Sequence, residues 1–134
     1  MIVIVVASGC RGQKSQVVMP LSTQANKACN GSPLKRAPKL PKGWPVVAGV
    51  TFTTHETLGP TEIVEGYFNG DVKAAHDAFK PALEGAGFTI LFDELEARDS
   101  EVSWKHAGRS GQVSMRLEGG TSDKTYLHIT NRAA

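Results

Sequence analysis

Cysteine, acid and uninterrupted hydrophobic length are what this chain has least of. Only two cysteines, Cys10 and Cys29, occur in 134 residues. Two thiols nineteen residues apart do not make a zinc site, which needs about four ligands at closer spacing. The four histidines, His55, His76, His106 and His128, show no metal spacing and no HExxH, so the sequence offers neither a metal centre nor a cofactor motif. The longest apolar run, from Ile2 to Ser8, would rise only about 10 Å as a helix. A bilayer core is ~30 Å thick, so this run does not span a membrane.

Acid is missing altogether from about a quarter of the chain. Residues 11–45 carry Arg11, Lys14, Lys27, Lys35, Arg36, Lys39 and Lys42 with no Asp or Glu, a net +7. The rest of the chain holds eight Lys/Arg against thirteen Asp/Glu, a net −5, so the overall +2 conceals an acidic body behind a basic arm. An acidic body argues against nucleic acid as a partner, because phosphate backbones demand clustered Lys and Arg.

The chain opens MIVIVVASGCRGQKS, which admits three readings. The β-branched run Ile2–Val6 suits a short buried strand of a cytoplasmic protein. A phosphate loop fails on spacing: two residues, not four, separate Gly9 from Gly12, and Gln13 precedes Lys14,. The third reading is an exported leader, an apolar run followed by small residues and Cys. Ala7-Ser8-Gly9-Cys10 resembles the lipobox of bacterial lipoproteins. That resemblance implies acylation of Cys10, removal of residues 1–9, and a position in the cell envelope facing the periplasm or exterior. Ala7 stands where the family usually has Leu, and no basic residue precedes Ile2; a start codon upstream would account for the second departure.

Residues 10–45 hold five prolines and no sustained apolar period, and are expected to be a flexible basic tether. Residues 46–134 are expected to be the globular domain. Alternation predicts strands at 46–54 and 61–68, the latter with Val64, Gly66 and Phe68 inward. Asp71 should N-cap a helix whose apolar face is Val72, Ala75, Phe79, Leu83 and Ala86, with Pro81 as a conflict inside it and Gly85 or Gly87 ending it. Further strands are read at 88–93, 102–107, 112–118 and 125–130, with Phe88, Ile90 and Phe92, Val102 and Trp104, Val113, Met115 and Leu117, and Leu127 and Ile129 expected inward,. The order ββαββββ predicts an α+β fold, an antiparallel sheet of about six strands with one helix packed across one face. The passage from Phe79 and Leu83 through Gly87-Phe88 is similar to small helix-on-sheet domains of envelope lipoproteins.

No catalytic set is legible. Asp93, Glu94, Glu96, Asp99 and Glu101 crowd one hairpin without calcium-loop spacing, as a solvated acidic turn does. Alternation puts Lys105, Arg116, Tyr126 and His128 on the sheet face away from the helix, with Tyr67 nearby. Donors beside flat aromatic rings can hold a carboxylate, phosphate or sugar, although cross-strand pairing on a solvated face explains them equally. Two functions follow. One is a non-enzymatic envelope lipoprotein, anchored to the membrane at Cys10, whose domain binds a protein or cell-wall partner through a sheet face or edge. The other is a small cytoplasmic or secreted enzyme or ligand-binding domain for an anionic molecule on that open face.

Overall fold

The computed structural model describes residues 21–117 and 123–134, so Cys10 and the expected leader lie outside the described residues. The elements run α1 (Leu21–Cys29), β1 (Val50–Leu58), β2 (Thr61–Asn69), α2 (Val72–Gly85), β3 (Thr89–Leu95), β4 (Asp99–His106), β5 (Arg109–Arg116) and β6 (Lys124–Ala133). The six strands form one open antiparallel sheet in the order β1-β2-β6-β5-β4-β3. The chain is therefore α+β, with helices on both faces of the sheet.

Helix α2 begins where the sequence predicts. The Asp71 carboxylate accepts from Ala74 N at 2.8 Å, satisfying one of the orphan donors of the first turn,. Val72, Ala75, Phe79 and Leu83 are buried along one side, and Pro81 points to solvent within the continuous helix. Gly87, at φ +90°, ends it in the left-handed conformation. Phe88 N then donates to Leu83 O and Gly87 N to Glu84 O, the paired bonds of a Schellman motif,.

Under α2 lie Val64, Phe68, Val102, Trp104, Val113, Met115, Leu127 and Ile129, every second residue of β2, β4, β5 and β6. Fixed alternation explains why this core was readable from the strands themselves. Two bulges disturb it. One between Phe52 and Thr54 shifts β1 against β2; another between Ile90 and Phe92 shifts β3 against β4. After the second, Phe92 pairs with Ser103 on the far face and is 51% exposed, not inward as alternation predicted. Strand β1 also starts later than expected. Gly49 at φ +90° breaks the extended run, and Val46 is left 99% exposed.

The largest correction concerns the expected tether. Residues 21–29 are helical, and Ala25, Ala28 and Cys29 bury themselves on Tyr126, with Tyr67 alongside, on the face opposite α2. Lys124 Nζ donates to Cys29 O at 2.8 Å and Thr53 Oγ1 to Ala28 O at 2.7 Å, satisfying carbonyls at the helix end,. The following segment crosses to the α2 side. Leu34 N donates to Phe52 O at 2.9 Å, and Leu40, Trp44 and Val47 pack against the main core. Trp44 meets Phe88 and Trp104 edge-on, at 5.5 Å from each. The expected single helix α2 is thus joined by a second helix on the opposite face and by a packed loop, both from the basic arm.

The Cys29 thiol is consequently buried between α1 and the sheet. Burial raises its pKa, opposed by nearby Lys124,. In a Cys10→Ser chain, Cys29 should react with a thiol reagent at least about tenfold more slowly in buffer than in urea. Equal rates would show that α1 does not dock.

Candidate functional site

The predicted face residues do share one face, but not one site. Lys105 pairs with Ser110, whereas Arg116 pairs with Asp99, six residues away along β4. At about 3.3 Å per residue these two cations stand ~20 Å apart. Arg116 faces Tyr126 across β5 and β6, and His128 lies beside Tyr126 with ring centroids 6.3 Å apart. Tyr126 itself is fully buried under α1 and donates its hydroxyl to Glu65. Burial first, and then that bond to a carboxylate, hold its phenol well above the ordinary range,. Glu65 also accepts from Thr54 Oγ1 at 2.9 Å. Tyr126 is therefore a structural post beneath α1, as Tyr67 is, with Lys124 Nζ 4.2 Å above its ring. Alternation names the face a residue occupies but not what covers it.

The more unusual surface is at the sheet's ends. The two edge strands, β1 and β3, are finished differently. Along β1 the edge is blunted: the bulge at Thr53 twists it, Leu34 N bonds to Phe52 O, and Ala28 O accepts from Thr53 Oγ1,. Beyond the bulge its side chains are polar, His55, Glu56 and Thr57, before the isolated Leu58.

No described segment pairs with the outer side of β3. There Leu91, Phe92 and Leu95 are 56%, 51% and 40% exposed, three of the five large apolar side chains most open to water among the described residues. From Phe92 to Leu95 the pairing with β4 is regular, so alternate backbone N–H and C=O groups point outward in strand geometry,. The expected acidic turn surrounds this edge. Glu94 stands directly opposite Glu101, a like-charge pair that costs energy in isolation,. Among the described residues no three His, Cys, Asp or Glu side chains converge as metal ligands.

Helix α2 pins the edge from its other side. His76 Nε2 donates to Asp93 Oδ1 at 3.1 Å, and Lys80 Nζ lies 3.6 Å from Asp93 Oδ2. His76 is nearly buried and bonded, a satisfied structural histidine. The bond from His76, more than the Lys80 charge, holds the Asp93 carboxyl below the usual carboxylate range,.

A carboxylate whose pKa is lower in the folded state contributes stability above its unfolded pKa of about 3.9 and loses it as pH falls through the folded value. Asp93→Asn should therefore cost about 0.5–1 kcal/mol at pH 7, modest because the side chain is one-third open to water,. In urea titrations the deficit should shrink progressively as pH falls below about 4. An unchanged deficit would mean that the carboxylate charge does not hold β3 to α2.

Comparison with family models, curated proteins and solved structures finds no match to this chain, so its function has to be argued from its own residues.

Proposed function

We propose that the protein is a lipid-anchored binding module of a bacterial cell envelope, non-enzymatic, held at the membrane through Cys10. It captures an extended segment of a partner protein as a further strand along β3. The observation that supports this reading is the contrast between the two edges: β1 is bulged, bonded and polar, while β3 carries exposed Leu91, Phe92 and Leu95 beside unpaired backbone. Natural sheets protect such edges unless they are used, and added strands draw affinity from main-chain bonds and specificity from alternating side chains.

Charge narrows the partner to a segment in which apolar residues alternate with Lys or Arg. Cations there would relieve the repulsion between Glu94 and Glu101 and meet the acids at 96 and 99,. The anchor rests on Ala7-Ser8-Gly9-Cys10 and its likeness to the lipobox. No described helix is long and apolar enough to cross a membrane; in this reading an acylated Cys10 supplies the attachment.

Two outcomes are expected. Globomycin should make the unprocessed precursor accumulate in cells, and intact mass of the untreated product should begin at a diacylated Cys10; a mature chain retaining residues 1–9 would remove the anchor. Separately, a photo-crosslinker at Leu91 should yield a discrete hetero-adduct in cells that Phe92→Lys/Leu95→Lys abolishes, while one at Thr57 yields none. Adducts formed equally from both edges, or only with a second copy of this chain, would end the edge-capture reading.

A further inference from the structure

On the α2 side of the sheet, at the far end from the acidic hairpin, the basic loop roofs a polar basin of about 400 Å³. Lys39, Leu40, Pro41 and Lys42 form its upper wall, and Glu62, His106, Ala107, Arg109 and Asn131 its floor and sides. Next to the floor, Gly111 pairs with Asn131 and lets β5 lie close against β6. A Cβ at Gly111 would lie 1.9 Å from Thr130 O, which no side chain could tolerate.

The donors in this basin are held by bonds pointing away from it. Arg109 Nε donates to Asn131 Oδ1 at 2.9 Å, which fixes the guanidinium plane, and no described group accepts from its two terminal nitrogens. His106 Nδ1 donates to Gly87 O at 3.2 Å, and its ring stacks on Phe88 with centroids 4.1 Å apart. Its Nε2 is thereby turned toward Gly43 on the roofing loop, 3.6 Å from where a Cβ would sit. Lys39 and Lys42 form no close ion pair with a described carboxylate, although the Lys39 charge acts on Glu62 from across the basin. The single acid, Glu62, is already engaged by His55 Nε2 at 2.6 Å and Thr57 Oγ1 at 2.8 Å.

Three cations thus face one occupied carboxylate across a concave floor. We propose that this basin binds a phosphate group, with the Arg109 guanidinium offering its two terminal nitrogens to two phosphate oxygens and Lys39 and Lys42 closing over the third. A guanidinium with a free fork matches the geometry of a tetrahedral oxyanion. A pre-fixed donor also loses less entropy on binding than a mobile one. The same chemistry is carried by a small soluble phosphate and by an anionic lipid headgroup. Neither involves the β3 edge, so this inference stands apart from the partner-capture reading.

The test is a titration of the isotopically labelled full chain at constant ionic strength, in two arms: inorganic phosphate or glycerol 3-phosphate, and vesicles with and without phosphatidylglycerol. Saturable amide shifts confined to residues 39–43, His106, Arg109 and Asn131 are expected in one arm, which identifies the source. Arg109→Gln, and separately Lys39→Gln/Lys42→Gln, should each weaken binding about tenfold. The lysine pair is exposed, so its loss leaves folding intact even if Arg109→Gln does not. Arg116→Gln, on the opposite face, should change nothing. No saturable shift in either arm, or equal weakening by Arg116→Gln, would overturn the proposal.

Discussion

Trp104 is the side chain around which three otherwise separate pieces of chain are arranged. It is fully buried on β4, with Phe88 at 5.2 Å and Trp44 at 5.5 Å, both edge-on. Each such pair contributes about 0.5–1.5 kcal/mol beyond the area it buries. Phe88 is also the residue that closes the Schellman end of α2, so the same contact sets where the helix leaves the sheet,. Trp44 belongs to the roofing loop, and its seat against Trp104 positions Lys39–Lys42 above the polar basin. Gly111 makes room for the ring, since a Cβ there would approach the indole to 2.8 Å,. The indole Nε1 has no described partner, a cost of about 1–3 kcal/mol that the aromatic packing must exceed,.

That arrangement also explains which parts of the fold were legible. Helix α2 announced itself through Asp71, its apolar period and Gly87. The inward faces of β2, β5 and β6 followed from strict alternation, as with Val113 and Met115 or Leu127 and Ile129. Helix α1 was hidden because what it must cover is small. Ala25, Ala28 and Cys29 suffice to seal Tyr126, and a nine-residue segment of Ala, Ser, Thr, Gln, Asn and Lys reads as linker. The packed loop was hidden for a related reason. Its prolines suggest a chain that stays loose, yet restricted backbone also loses less entropy on ordering, so Leu40 and Trp44 are enough to hold it,.

Register errors had a different origin. A bulge adds one residue and inverts every side chain beyond it, which moved Phe92 from the expected core to the open face. Gly111 looked like part of a turn, whereas β4 and β5 run on to meet at Ala107-Gly108. The site residues Lys105, Arg116, Tyr126 and His128 were placed on the right face for the right reason. Neither their spacing along the strands nor the helix above Tyr126 is encoded in a period of two. The donors of the polar basin escaped notice because they come from four separate stretches, near 39–42, 62, 106–109 and 131, and only the packed loop joins them.

An ordered start at Leu21 changes what an anchor at Cys10 would do. A tether running to residue 45 could hold the domain well clear of a bilayer. If Cys10 carries the lipid, only ten residues separate it from α1, a span of at most about 40 Å even fully extended. Those ten residues include Arg11 and Lys14, and the packed segment after α1 carries Lys35, Arg36, Lys39 and Lys42. A cationic surface held that near an anionic leaflet gains about 1 kcal/mol per basic residue that reaches it. The acidic β3 edge would be repelled by the same leaflet. Charge asymmetry along the chain would then act as an orienting device, turning the roofing loop toward the membrane and the capture edge toward whatever approaches from outside.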